Sequence, residues 1–468
     1  MQSSKQSNPT ISLITLTSLF FMWGFITCMN DILIPHLKEL FNLSYLQAML
    51  VQFCFFGAYF IGSLAYFLIS YFHTGPINKI GYKNGILLGL LVSALGCFLF
   101  YPAAEFVQYP LFLSAFFILG LGFTLLQITA NPFVALLGDE STASGRLNMV
   151  QGFNSLGTTI APIIGGYMIF ELFAHGQEIS GEETKYPYLV FALIFVLLFV
   201  VVKFVNLPVF TNTGEVAKGL GALRFPQLKM GAFGIFCYVG AEVAIGSFLI
   251  NFLKLPETIG LSEAEAKNYL ALYWGGAMIG RFFGAISFNK NIQGAKKLLY
   301  MLGVSAAIFI LILSIVGLTL AQIWVFPILI LINVSAFYLG RSFASQTLLL
   351  FALINVVLLL FGVFGVGNVA IWAVLAIGLF NSVMWSNIFT LSISGLKEYT
   401  SQGSSLLVMA ILGGAIVPLV QGAIADFYGL KISFILPVIC YLYIAYFGYF
   451  CSRKKLDVAD GIVISSGH

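Results

Sequence analysis

Apolar runs of bilayer-crossing length recur along this chain of 468 residues, and no other feature restricts its fold as much. Crossing the hydrocarbon core takes about 17–25 apolar residues. Fourteen stretches qualify, near 11–35, 46–72, 84–103, 109–137, 146–173, 187–207, 228–253, 267–289, 297–318, 321–340, 346–366, 368–394, 404–425 and 431–451. Lipid satisfies no backbone polar group and the runs lack the alternation of barrel strands, so each is predicted to be a helix. Only 9% of the residues are charged and 60% are hydrophobic, against about 25% charged in soluble domains. The fold class that follows is all-α and polytopic, with about 14 spans.

Charge sets the orientation. With the N-terminus placed in the cytoplasm, about 17 of the 22 Lys and Arg fall inside, as the positive-inside bias requires. Glu178, Glu182, Glu183, Glu257, Glu263 and Glu265 gather outside. A missed or invented helix would have reversed the sign of every later loop, so both termini are expected to be cytoplasmic. The polar start, Met1 to Pro9, leads into an apolar run without a cleavage site, and that run is expected to remain as the first helix. Cys28, Cys54, Cys97, Cys237, Cys440 and Cys451 show no paired spacing and read as small apolar residues. The basic residues form no stripe, so no nucleic-acid partner is expected.

The polar stretch 208–227 follows six runs and is expected to link an N-terminal six-helix bundle (1–207) to a C-terminal bundle (228–451), with a cytoplasmic tail at 452–468. An internal repeat supports the division. Phe56-Gly57 and Ile61-Gly62 reappear as Trp274-Gly275 and Ile279-Gly280, an offset of about 218. Leu156-Gly157, Ile160, Pro162 and Gly166 reappear as Leu412-Gly413, Ile416, Pro418 and Gly422, an offset of about 256. Parallel repeats of this kind are a transporter design. The growth of the offset, about 38 residues, makes room for two short helices at about 1.5 Å per residue. The simplest placement of the inserted pair is near 321–366.

Two carboxylates interrupt the apolar runs, Asp31 in the first and Glu242 in the seventh. An aspartate at mid-helix costs about 2.5–3.5 kcal/mol on insertion scales, so both acids are candidate functional groups. Gln127 and Asn131 lie one turn apart in the fourth run and share a face. Helix-to-helix hydrogen bonding explains either amide alone equally well. However, Asn131 maps onto Asn387 at the offset of 256, which points to a shared polar cavity. In the fifth run Gln151 and Asn154 lie deeper than Asn148 and are the better ligand candidates. Trp385, beside Asn387, is the tryptophan most suited to stack on a bound ring.

Between the second and third runs, Gly75-Pro-Ile-Asn-Lys79-Ile-Gly81-Tyr-Lys83 is similar to the cytoplasmic signature of the major facilitator superfamily, with Asn78 where an aspartate is usual. Lys79 and Lys83, with Arg146 and Arg281, are the candidate gating cations. Trp23-Gly-Phe with Asn30-Asp31-Ile-Leu-Ile-Pro, Gln127-x-x-Ala-Asn131-Pro, Tyr238-Val-Gly-Ala-Glu242-Val-Ala-Ile-Gly246 and Ser401-Gln-Gly-Ser-Ser together resemble the fucose–proton symporter family, and within it the bacterial glucose/galactose transporters. The resemblance implies hexose uptake by cation symport at the bacterial inner membrane, with Asp31 as coupling carboxylate. Asn30, Gln127, Asn131, Gln151, Asn154, Glu242, Trp385 and Asn387 are then the candidate sugar contacts. One departure stands out: fucose symporters carry a glutamate in the fourth helix where this chain has Gln127, and an amide releases no proton. Either Asp31 couples alone, or Glu242 shares the task, or the ion is sodium rather than a proton. A monomer in the lipid bilayer, with no cofactor or metal, is expected. Related readings keep the fold and change the cargo to fucose, an amino sugar or a disaccharide. A lipid-linked glycan flippase or membrane-embedded enzyme is disfavoured by the lack of a catalytic cluster.

Overall fold

A computed structural model describes residues 9–72, 80–137, 143–172, 182–208, 221–287, 294–340, 343–396, 400–454 and 456. It divides into two compact units, Met1–Leu43 with Ala48–Gly214, and Ser44–Gln47 with Glu215–His468. The main division falls inside the stretch 208–227.

Unit 1 contains α1 (Pro9–Leu40), α2 (Leu50–Phe72), α3 (Tyr82–Phe98), α4 (Tyr109–Leu136), α5 (Ala143–Tyr167) and α6 (Glu182–Phe204). Here α1 packs on α5, α2 on α4, and α3 on both α4 and α6. Small residues permit these approaches, as is usual where the lipid supplies no hydrophobic drive. A Cβ on Gly24 would strike the Asn154 carbonyl, and one on Gly157 would strike that of Phe21. Hydroxyls inside the apolar helices return to their own backbone: Thr27 Oγ1 donates to Trp23 O at 2.8 Å and Ser93 Oγ to Gly89 O at 2.8 Å. That local bond satisfies a group for which lipid offers no partner.

Unit 2 contains α7 (Pro226–Leu253), α8 (Glu263–Ser287), α9 (Gly294–Ile315), α10 (Val325–Leu339), α11 (Ala344–Phe364), α12 (Gly367–Asn381), α13 (Met384–Ile393), α14 (Thr400–Met409), α15 (Gly413–Tyr428) and α16 (Ile435–Arg453). Within this unit α7 packs on α15, α8 on α12, and α11 on both α12 and α16. The crossing of α7 and α15 repeats that of α1 and α5: Gly413 faces the Phe236 carbonyl and Gly240 faces Val417. Gly413 and Gly157 are the repeat partners read from the sequence. The residues Ser44–Gln47 group with this unit, where the Asp426 carboxylate accepts from Tyr45 N at 2.7 Å and Leu46 N at 2.8 Å.

These packing partners give α11 the place in unit 2 that α3 holds in unit 1. The surplus helices are then α9 and α10, one helix earlier than the pair near 321–366 that the offsets suggested. The offsets measured only how many residues were added between the second and fifth helices, so they could not distinguish which neighbouring pair was new.

Among the described residues each of the fourteen apolar runs is mainly helical, but twelve helices there are long and apolar enough to cross a membrane. Val325–Leu339 has 15 residues, about 22 Å of helix against a core of about 30 Å. In Glu263–Ser287, glycines together with Asn268 and Arg281 dilute the apolar content.

Candidate functional site

The acid of α1 sits in a cluster of amides. Asp31 is 4% exposed. Gln52, from α2, donates Nε2 to Asp31 Oδ1 at 3.2 Å and accepts at Oε1 from Asn30 Nδ2 at 3.4 Å. One amide thus bridges two neighbouring residues of α1. The Oδ1 atom of Asn30 is buried and accepts no hydrogen bond from the described residues. Cys28 Sγ lies 4.0 Å from Asp31 Oδ2.

Two turns further along α2, on the same side, Tyr59 accepts from Trp23 Nε1 at 3.2 Å. Its hydroxyl also bonds the Gln127 side chain. Phe20, Phe55, Phe56 and Phe123 surround this group, with Phe56 and Tyr59 stacked at 5.7 Å. Unit 1 therefore presents a polar line of Asn30, Asp31, Gln52, Tyr59 and Gln127 inside an aromatic wall.

The other candidates of unit 1 serve the helices more directly. Asn131 Nδ2 points back to Gln127 O on its own helix at 3.3 Å. Asn154 Nδ2 donates to Phe20 O at 2.9 Å and ties α5 to α1 at the glycine crossing. Gln151 is half-buried on the same helix. Of the gating candidates, Lys83 donates to Lys203 O at 2.9 Å and Val205 O at 2.8 Å, capping the end of α6. A cation there also meets the negative end of the helix dipole. Lys79 and the side chain of Arg146 lie outside the described residues.

In unit 2 the acid of α7 is joined to a second polar group. Tyr238, one turn before Glu242, donates to Glu242 Oε1 at 2.6 Å and lies 3.3 Å from the Asn381 carbonyl. Arg281, from α8, interacts electrostatically with the Glu242 carboxylate. The Asn381 side chain is a hub. Its Oδ1 accepts from Asn355 Nδ2 at 2.9 Å and Tyr441 OH at 2.6 Å, while Nδ2 donates to Tyr273 OH at 3.2 Å. The hub thereby joins α8, α11, α12 and α16. Asn387 Nδ2 donates to Ala344 O at 3.3 Å, across to α11. Trp385 is 36% exposed and stacks on Phe389 at 5.1 Å.

Gln52, Tyr59, Tyr238, Asn355, Asn381 and Tyr441 were not among the residues predicted from sequence. Gln52 and Tyr59 had a usable signal, since they lie seven apart in one apolar run and so share a helix face. Asn355 and Asn381 had one too: amides deep in apolar runs need partners. Tyr238 had one as well, one turn before Glu242 in the same run, whereas Tyr441 had none, because Tyr is common at helix ends and in packing.

Comparison with known proteins bears on this arrangement. The sequence profile described as Major Facilitator Superfamily matches residues 12–349. A glucose/galactose transporter of Brucella abortus biovar 1 (strain 9-941) is 43% identical over 459 residues, 97% of each chain. The L-fucose-proton symporter of Escherichia coli (strain K12) is 30% identical over 467 residues, covering 94% of this chain and 93% of that protein. A crystal structure of the E. coli fucose:proton symporter superposes with a TM-score of 0.64 at 29% identity, covering 95% of this chain and 99% of the other.

Proposed function

This chain belongs to the major facilitator superfamily and is a multi-pass sugar transporter, not an enzyme; from that premise we propose that it imports glucose or galactose by cation symport. The observation that carries the reading is the buried Asp31 held by Gln52 at 3.2 Å, inside a chain 43% identical to a glucose/galactose transporter. A carboxylate in an apolar helix is costly unless it works. Loading a proton or a sodium ion at Asp31 removes the charge that resists enclosure, and this allows alternating access to proceed with sugar bound. In unit 1, Asn30, Gln127 and Gln151 are the side chains we assign to the sugar, and in unit 2 Glu242, Trp385 and Asn387 are the candidates; amides, acids and an aromatic face of this kind suit a hexose.

With Gln127 in place of a second acid in α4, Asp31 is the principal coupling group, and Glu242 is the other carboxylate available to share the task. No cofactor takes part. The protein works as a monomer in the bacterial inner membrane with both termini in the cytoplasm. The test is uptake into proteoliposomes with an imposed pH or sodium gradient, across glucose, galactose, fucose, an amino sugar and a disaccharide. Accumulation of glucose or galactose driven by one gradient supports the reading. Accumulation of only the other sugars, or none that follows either gradient, overturns it.

A further inference from the structure

The helix formed by α12 and α13 is interrupted at Ser382 and Val383, and the residue before the interruption, Asn381, turns its carbonyl towards the hydroxyl of Tyr238 at 3.3 Å. The same hydroxyl lies 2.6 Å from Glu242 Oε1. A phenol has one proton to donate and these are two acceptors. We propose that Tyr238 is a positioning residue that passes the protonation state of Glu242 to the broken helix.

When Glu242 is ionised it is acceptor-only, so the Tyr238 proton is held by the carboxylate and the bond to the Asn381 carbonyl is lost. When Glu242 takes a proton from solvent, its carboxyl donates to the Tyr238 oxygen. The phenol proton then turns to the Asn381 carbonyl. No covalent bond changes except that of the added proton, and the effect is to tie α7 to the break only in the protonated state. Asn381 is suited to receive such a signal because its side chain is already fixed by Asn355, Tyr273 and Tyr441, leaving its carbonyl as the part of the hub that Tyr238 reaches. A fixed hub turns one hydrogen bond into a displacement of the segment beyond it, where discontinuous helices of transporters form their working sites.

Among the described residues Tyr238 on its own helix, Arg281 from α8 and Tyr441 from α16 interact electrostatically with Glu242. The Arg281 guanidinium stays charged across the whole pH range, so the pH dependence comes from Glu242 and not from this cation. The proposal rests on the transporter reading only in giving Glu242 a working role, and its test requires no sugar and no transport.

Trp385 lies two residues beyond the break, stacked on Phe389, and reports on it directly. The emission of the purified protein is titrated between pH 5 and 9, with Trp385→Phe identifying the component that belongs to Trp385. In the parent that component should shift with pH. In Tyr238→Phe the shift should be lost. In Glu242→Gln the emission should stay at the parent's acid limit at every pH, because the amide N–H donates to Tyr238 as the protonated acid does. Circular dichroism establishes that each variant is folded, and should Tyr238→Phe fail to fold, Glu242→Gln decides. A parent without a titrating Trp385 component, a shift retained in Tyr238→Phe, or a Glu242→Gln that titrates or sits at the alkaline limit overturns the proposal.

Discussion

Gln52 Nε2 lies 3.2 Å from Asp31 Oδ1, so the acid in the first helix is held by an amide from the second. The same side chain accepts from Asn30 at 3.4 Å, which orders the residue beside the acid as well. Replacing Gln52 with Leu leaves a buried acceptor and a buried donor without this partner. Removing one hydrogen bond from a buried polar group costs about 1–3 kcal/mol. Gln52→Leu should therefore lower the thermal midpoint in detergent and shift the pH or sodium dependence of uptake, whereas Gln52→Glu should change the ion dependence by placing a second acid beside Asp31. A Gln52→Leu protein with parental stability and ion dependence would remove Gln52 from the account.

The glycine crossings predict a contrast. A Cβ on Gly413 would meet the Phe236 carbonyl, while one on Gly57 meets nothing within 4 Å. Overpacking a helix contact costs about 1–3 kcal/mol, and Gly→Ala in an open helix position gains roughly 0.5–1 kcal/mol. Gly413→Ala should lower the thermal midpoint and Gly57→Ala should leave it equal or higher, as measured by thermal unfolding of the purified variants.

Lys83 bonds two carbonyls at the end of α6. Its replacement by Met keeps the aliphatic stem and removes the cap and the dipole contact, a loss of about 1 kcal/mol. The expected result is a slightly lower thermal midpoint with sugar affinity unchanged in a binding assay. A loss of gating alone, with full stability, would mean that the cation acts elsewhere.

Ahead of the apolar part of α8, Ser262 and Glu265 form a reciprocal cap. The backbone N–H of Ser262 donates to Glu265 Oε2 at 3.0 Å, and Ser262 Oγ accepts from Glu265 N at 3.3 Å. The Ser262 hydroxyl, followed by its backbone N–H, holds the Glu265 acid below its ordinary value of 4.5. A depressed folded value means that the stabilisation is fully present above that ordinary value and disappears as pH falls through the folded one. The difference in thermal midpoint between the parent and Glu265→Gln should accordingly be present at neutral pH and close under strongly acidic conditions.

The helical class, the division into two halves and the burial of Asp31 were legible in the sequence because each rests on local cost: an apolar run, a polar break, an acid within an apolar run. The glycine repeats were legible for a related reason, since a crossing that forbids a Cβ leaves the same residue in both halves. Gln52 and the Asn381 hub were not read: the spacing of Gln52 and Tyr59 and the depth of the amides mark them as polar groups that need partners, but the partners themselves lie on other helices, which no spacing within one run identifies. Asn154 shows the converse. Its stripe with Gln151 looked like a ligand face, but its amide bonds the Phe20 carbonyl and holds two helices together. The identity of the surplus pair also depended on packing, since residue counts alone fit either neighbour.

Asp31→Asn puts the central claim to its most direct test. In proteoliposomes, the amide should abolish gradient-driven accumulation of glucose or galactose while equilibrium exchange of labelled for unlabelled sugar continues, because exchange needs the binding site but no net cation movement. Accumulation at the parental level in Asp31→Asn would contradict the account.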